Sequence, residues 1–278
     1  IIHDESTTGK TAFIEPDGVI DINNDIFDLY TEEKREIYRI LKELSATLRP
    51  YIPMLAHYEK LIARFDFIQA KARLAVRLRA EMPKLVNKPH LGIQMGYHPL
   101  LLLKNKEASR ETVPFDLTLF GQNRILMLSG PNAGGKSITL KSVGLLQLMV
   151  QSGLLVPADE ISEFGIFQKI FADIGDQQSL EDDLSTYSSH LKNMKTFLEH
   201  ADKHTLMLID EFGSGKDPKI GGAIAEAILS QLNEKNISGV ITTHYSNLKI
   251  YSFKTKGIVN GSMLFDKHSL SPTYQLKV

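Results

Sequence analysis

Apolar positions divide the chain into two kinds of pattern. In the first, Ile26, Leu29, Tyr30, Ile37, Ile40, Leu41, Leu44 and Leu48 recur mostly at three- and four-residue steps, which places them on one stripe of a helix. Pro50 ends or kinks that helix. A second helical pattern runs through Leu55, Tyr58, Leu61, Ile62, Phe65, Phe67, Ile68, Ala72, Leu74 and Val76 and stops near Pro83. Two long antiparallel helices are the expectation. Ahead of them, Thr11 to Pro16 reads as a short strand closed by a Pro16-Asp17-Gly18 turn. Further along, short β-type runs alternate with helices. Strands are expected at Leu100–Leu103, Ile125–Leu128, Ile170–Ile174, Leu206–Ile209, Gly239–Thr242 and Ile258–Phe265. Helices are expected around Ser137–Gln151, Thr186–His200, Gly221–Asn233 and Tyr245–Ser252. This alternation predicts an α/β fold with a mostly parallel sheet and a ligand at the carboxyl ends of its strands. The expected division is a helical domain over 1–89 and an α/β domain over 90–278.

Composition changes this picture little. The 278 residues are 42% hydrophobic and 23% charged with a formal net charge of -1, a globular profile with room for one large or two smaller domains. There is no Cys, which removes disulfides and thiolate metal sites. The longest apolar stretch follows residue 137 and is interrupted by Lys141, Ser142, Gln147 and Gln151, so no membrane span is expected. The first residues carry neither initiator Met nor signal-peptide pattern, and the expectation is a piece of a longer cytoplasmic protein. Charge is uneven: Thr31 to His90 holds thirteen Lys/Arg against seven Asp/Glu, and Leu154 to Ile220 holds six against thirteen. The basic part reads as a solvated helix face ahead of a nucleic-acid footprint.

The candidate chemistry begins at Gly130-Pro131-Asn132-Ala133-Gly134-Gly135-Lys136-Ser137, between a predicted strand and a predicted helix. In that context G-x-x-x-x-G-K-[ST] is a triphosphate cradle. Glycines let successive backbone N–H groups turn toward phosphate oxygens, and the helix that follows adds the positive end of its dipole. Lys136 would reach the β and γ phosphates and the Ser137 hydroxyl would ligate Mg²⁺. The run Thr205 to Ile209 delivers Asp210 and Glu211 at a strand end. Asp210 suits the Mg²⁺ site and Glu211 the general base that takes a proton from the attacking water. A second strand delivers His244, placed to report the γ-phosphate. Ser185 or Thr186, opening a predicted helix, can serve as cap and as anion site at once.

Taken in order, the glycine loop, the Ser185-Thr186-Tyr187 segment, Asp210-Glu211 with Phe212-Gly213-Ser214-Gly215, and Thr242-Thr243-His244 resemble the MutS-family ATPase, an ABC-type P-loop fold. Phe171-Ala172-Asp173-Ile174-Gly175-Asp176, the Ser185 to Asn193 run and the stretch from His3 to Pro16 are most similar to the branch whose long-chain members carry a C-terminal Smr nuclease domain and act against recombination. The resemblance implies an ATP-hydrolysing domain preceded by a long-helix core or lever domain, working on DNA as a homodimer. It implies that Ser185 and the 212–215 loop face nucleotide bound by the other subunit. Val113 would lie near the adenine, and Gln177 or Gln178 in the loop linking Mg²⁺ to the helical part. Lys216 departs from the small hydroxyl residue usual in the family. The residues themselves leave a second reading open, an ABC-type module acting on stalled ribosomes or structured RNA.

Three local matches carry no function. Gly9-Lys10-Thr11 lacks the leading glycine and following helix of a phosphate loop. Phe13-Ile14-Glu15 imitates a mismatch-reading motif but precedes Pro16 in a short strand. Asn105-Lys106-Glu107-Ala108 lacks the final Asp of a guanine-specific motif. A small-molecule kinase would need a lid with clustered Arg, and none is seen.

Overall fold

The computed structural model describes residues 2–5, 12–14, 16–131, 134–175, 183–213, 218–266 and 271–278. The chain divides into two compact units, 1–68 and 69–278.

In the first unit, β1 (Ile2–Glu5) and β2 (Ala12–Ile14) form an antiparallel pair, with Ile2 opposite Ile14. Helix α1 then spans Asp17–Leu48 and α2 spans Ile52–Leu78, joined by a 3₁₀ turn at Arg49–Tyr51. Two expectations are corrected here. Asp17 and Gly18 do not make a turn. Pro16 is the extended N-cap, at φ -65° and ψ 142°, and the helix starts at Asp17, whose charge favours a helix N-terminus. Nor do α1 and α2 fold back as an antiparallel pair. Backbone angles stay helical on both sides of Pro50 (Arg49 φ -51°, ψ -43°; Ile52 φ -52°, ψ -47°), and the two helices do not pack side by side. Pro50 removes one N–H donor and tightens one turn, but no reversing loop follows it. No residue of α1 is buried, so its apolar stripe stays exposed.

The second unit holds two sheets. Its remaining elements are β3 (Lys84–Val86), β4 (Leu91–Gly96), α3 (Pro99–Glu107), β5 (Phe115–Leu119), β6 (Asn123–Ser129), α4 (Lys136–Gln151), β7 (Glu163–Gly165), β8 (Lys169–Asp173), α5 (Asp183–His200), β9 (Thr205–Ile209), α6 (Pro218–Glu234), β10 (Ser238–Thr242), α7 (Ser246–Lys254), β11 (Gly257–Asp266) and β12 (Ser271–Lys277). The larger sheet runs β12-β11-β6-β10-β9-β8, parallel from β11 to β8 with β12 antiparallel at the edge. The fold is α/β, as the strand–helix alternation predicts. A four-stranded sheet, β3-β7-β4-β5, is an addition the pattern did not reveal.

Leu100–Leu103 is a helix, not a strand. Pro99 fixes the first turn of α3, and the Leu101 N–H donates to Nδ1 of His98, 3.3 Å away, which caps it. The run is too short for periodicity to distinguish the two states.

Side-chain alternation makes the central strands two-faced. Leu126, Leu128, Leu206, Leu208 and Val240 bury against α4 through Leu140, Val143 and Leu146. The intervening Ile125, Met127, Met207, Ile209 and Ile241 bury on the other face, against Met194 and Phe197 of α5, Leu229 of α6 and Leu248 of α7. Strands covered on both sides read as continuous apolar runs, which is why they were legible. Their carboxyl ends bring Ser129, Asp173, Asp210 and Thr242 to one edge.

Candidate nucleotide site

The glycine loop leaves β6 and enters α4 as predicted. Gly130 has φ +136° and Gly135, the N-cap of α4, has φ +94°, in the region where a side chain is strained. Space for one is also tight: a Cβ at Gly130 or at Gly134 would lie 3.2 Å from Cβ of Met263. Lys136 is 3% exposed, and its Nζ donates to the Gly130 carbonyl oxygen at 2.6 Å. Burial pushes its ammonium below the ordinary lysine range, opposed by the negative charges of Asp210 and Glu211. Ser137 is half-buried one position into α4. Asn132 and Ala133 lie outside the described residues.

The two carboxylates are held by the neighbouring strand. The Thr242 hydroxyl donates to Oδ1 of Asp210 at 2.5 Å, and its oxygen accepts the Glu211 N–H at 2.7 Å. The Thr242 carbonyl accepts the Phe212 N–H at 2.8 Å, and the Thr243 hydroxyl donates to the Phe212 carbonyl at 3.1 Å. Those bonds hold Glu211 at φ +49°, a left-handed conformation costing a β-carbon residue on the order of 1–2 kcal/mol. Glu211 is left half-exposed, with Oε1 4.0 Å from Nε2 of His244. Burial and the Lys136 charge hold the His244 imidazole below its ordinary value, while Glu211 acts the other way. His244 is thus kept neutral near pH 7, with one ring N–H to donate.

On the opposite side of the carboxylates lies a cluster to which the motifs assigned no role. Asp173, 7% exposed at the end of β8, accepts from Nδ1 of His190 at 2.6 Å and from Nδ2 of Asn193 at 2.9 Å. Its backbone carbonyl accepts the Asp210 N–H at 2.9 Å. The Asp173 hydrogen bond raises the pKa of His190, with a further contribution from the Glu211 charge. A cavity of about 30 Å³, the volume of a water or two, has His190, Asp173, Asp210 and Glu211 on one side and Met194, Ile224, Ala225 and Ile228 of α5 and α6 on the other. A buried strand-end Asp with a His and an Asn three residues apart on the next helix was the available signal.

Val113 lines a separate cavity of about 340 Å³ beside the start of α4, together with Phe115, Gly135, Met263 and Tyr274. Met263 and Tyr274 come from the β11–β12 pair, far along the chain from the loop they cover, and nothing local in the sequence announces them. Gln177, Gln178 and residues 214–217 lie outside the described residues, as does the Ser185 side chain, although Ser185 falls within α5. So do Gly9-Lys10-Thr11 and Glu15. Among the described residues no helix is long and apolar enough to cross a membrane.

A nucleotide-sized cavity, a lysine-bearing glycine loop and a strand-end carboxylate pair on one sheet edge have a counterpart among known families. The profile of MutS domain V matches residues 126–278, from β6 to the end of the chain. The chain belongs to the MutS family. Similarity to individual MutS-family members extends over all of it. It is 44% identical over 278 residues to "Endonuclease MutS2" of Lactobacillus helveticus (strain DPC 4571), covering 100% of this chain and 35% of that protein. Against "Endonuclease MutS2" of Enterococcus faecalis (strain ATCC 700802 / V583) it is 45% identical over 278 residues, again 100% of this chain and 34% of the relative. The protein of the same name in Geobacillus thermodenitrificans (strain NG80-2) is 44% identical, with 35% of its length covered. The chain therefore spans about a third of the length of the curated MutS-family relatives it matches.

Proposed function

We propose that this chain is the Mg²⁺-dependent ATPase module of a MutS-type protein, coupling nucleotide state to DNA binding through a homodimer. Residues 90–278 form the ATPase domain and the helices of 1–89 a lever toward DNA. The observation that supports this best is convergence at one sheet edge. The glycine loop that bears Lys136 follows β6 and the Asp210–Glu211 pair follows β9, and because β6, β10 and β9 are parallel both leave the sheet at the same carboxyl edge, on either side of β10.

In this reading the backbone of Gly130, Pro131, Asn132, Ala133, Gly134, Gly135, Lys136 and Ser137 cradles the phosphates of ATP. Lys136 exchanges its bond to the Gly130 carbonyl for phosphate oxygens, which costs little because the ammonium is already desolvated. The donor set fits a hard divalent ion shared with its substrate. One Asp210 oxygen accepts from Thr242, and the other, with the Ser137 hydroxyl, offers oxygen ligands. No group of three or more His, Cys, Asp or Glu forms a metal cage among the described residues, and Mg²⁺ commonly takes one or two protein oxygens plus phosphate. Mg²⁺, when bound, neutralises charge on the phosphates. Glu211 accepts the proton of the attacking water, and neutral His244 donates to the γ-phosphate. Adenine enters the cavity beside Val113. Gln177 approaches the metal side, and Ser185 meets the nucleotide of the partner subunit.

The full-length protein carrying Glu211→Gln should bind ATP with wild-type affinity and turn it over about a hundredfold more slowly. Fluorescent-nucleotide titration and single-turnover hydrolysis measure the two quantities. Unchanged hydrolysis would remove Glu211 from the role of base.

A further inference from the structure

The Asp173 carboxylate joins a helix to the reactive edge of the sheet. A carboxylate so nearly buried is stable only when its oxygens are satisfied, and both partners here belong to α5. His190 and Asn193 lie three residues apart and so share one helix face. The 2.6 Å bond to His190 is of the short, charge-assisted kind. The same residue is tied to the carboxylate loop through its backbone, because its carbonyl holds the Asp210 N–H. Asp210 and Glu211 are therefore gripped from two sides. Thr242 bonds to both from β10, and Asp173, itself fixed by α5, holds the Asp210 N–H from β8. Glu211 follows Asp210 directly and has a left-handed backbone, so a shift of Asp210 is passed on to its carboxylate.

We infer that Asp173, His190 and Asn193 form a latch through which the position of α5 controls the alignment of Asp210 and Glu211, making His190 and Asn193 positioning residues for ATP hydrolysis. This rests on the ATPase reading of the site. It adds a route of regulation, because Ser185 lies on the same helix, five residues before His190 and roughly 7–8 Å away along its axis. A partner subunit engaging the start of α5 would thereby act on the carboxylates of the subunit that owns the helix. The latch bears on alignment of the attacking water and not on the phosphate cradle, which is built by β6 and α4 on the far side of β10. It should therefore affect turnover and spare the affinity for nucleotide measured without Mg²⁺, since Asp210 meets the nucleotide only through the metal.

The test uses the full-length protein in four forms: His190→Ala, His190→Asn, Asn193→Ala and the Glu211→Gln control. Asn at 190 presents an amide N–H near the position of Nδ1, so it keeps the bond without the imidazole. His190→Ala should lower kcat about tenfold while the dissociation constant for a fluorescent ATP analogue, measured without Mg²⁺, stays within about twofold. His190→Asn should recover most of that loss. Asn193→Ala, which leaves the shorter bond in place, should lose less. Wild-type kcat in His190→Ala, with Glu211→Gln slowed, would overturn the latch and leave the ATPase reading intact. A kcat loss in His190→Ala that His190→Asn does not recover, or a parallel loss of nucleotide affinity measured without Mg²⁺, would also overturn it. Wild-type turnover in Glu211→Gln would instead sink the role of Glu211 and the latch with it.

Discussion

Thr242 shows how much of the site depends on a residue with no chemistry of its own. Its hydroxyl donates to Asp210 and accepts from the Glu211 backbone, satisfying two groups with one oxygen. Thr242→Val keeps the shape and removes both bonds, leaving the Glu211 N–H and an Asp210 oxygen without their partner. The expected cost is roughly 1–3 kcal/mol in a urea unfolding series, with hydrolysis slowed and Thr242→Ser close to wild type. Equal stability of the valine and serine variants would show the hydroxyl to be unimportant. His190 gives a second prediction, through pH. Hydrogen bonding to Asp173, helped by the Glu211 charge, raises its folded-state pKa above the ordinary 6.5. The protonated form thus favours the folded state. Its contribution is complete below the unfolded pKa and disappears as pH rises through the folded one. The melting temperature of wild type should exceed that of His190→Asn by most near pH 5.5 to 6, with the gap closing above neutrality. Parallel melting curves across that range would contradict the assignment.

At the scale of elements, β7 is where backbones come closest. A Cβ added to Gly165 would sit 2.0 Å from the Lys88 carbonyl oxygen and 2.4 Å from the His90 nitrogen, backbone atoms of the segment that leads into β4, whose His90 carbonyl accepts the Gly165 N–H. Gly165→Ala should therefore destabilise the unit by roughly 1–3 kcal/mol or more, read as a lowered urea midpoint. Unchanged stability would mean that the two segments are not so closely apposed. That small sheet also marks the boundary of what the sequence made legible. The strands Ile125–Leu128, Leu206–Ile209 and Gly239–Thr242 were readable because both faces are covered, so every position is apolar. Strands β3 and β7 have three residues each and β4 begins Leu91-Gly92, too short or too weakly patterned to register. Leu100–Leu103 was misread because four leucines carry no period, and the deciding bond comes from His98, outside the run. The antiparallel helix pair failed for a related reason. Pro50 was a correct signal of interruption, but a proline in a helical first turn does not state in which direction the chain continues.

At the scale of the whole molecule, the same contrast separates the proposed nucleotide site from what nucleotide is proposed to drive. Glycine loop, carboxylates and His244 could be located in the sequence because each sits at a strand end, where residue type and position are tied by the chemistry. Asp173, His190 and Asn193 lie within segments that carry the family resemblance, but residue type alone did not show that they bond to one another, and the Met263–Tyr274 cover comes from far along the chain with no motif. More distant still is the second copy that the proposed function requires. Its signature would be a contact that closes on itself, each subunit offering the same surface, and one that strengthens when ATP persists. The full-length Glu211→Gln protein, able to bind and slow to hydrolyse, should therefore sediment as a dimer with ATP and Mg²⁺ and dissociate when nucleotide is removed. Adding Lys136→Ala should abolish the ATP dependence of that association, since the phosphates would lose their buried cation. A protein that stays strictly monomeric with ATP bound would rule out the two-subunit site, and Ser185 would then have no partner nucleotide to face. An association indifferent to Lys136→Ala would show instead that the subunits meet through surfaces unconnected with the ATPase site.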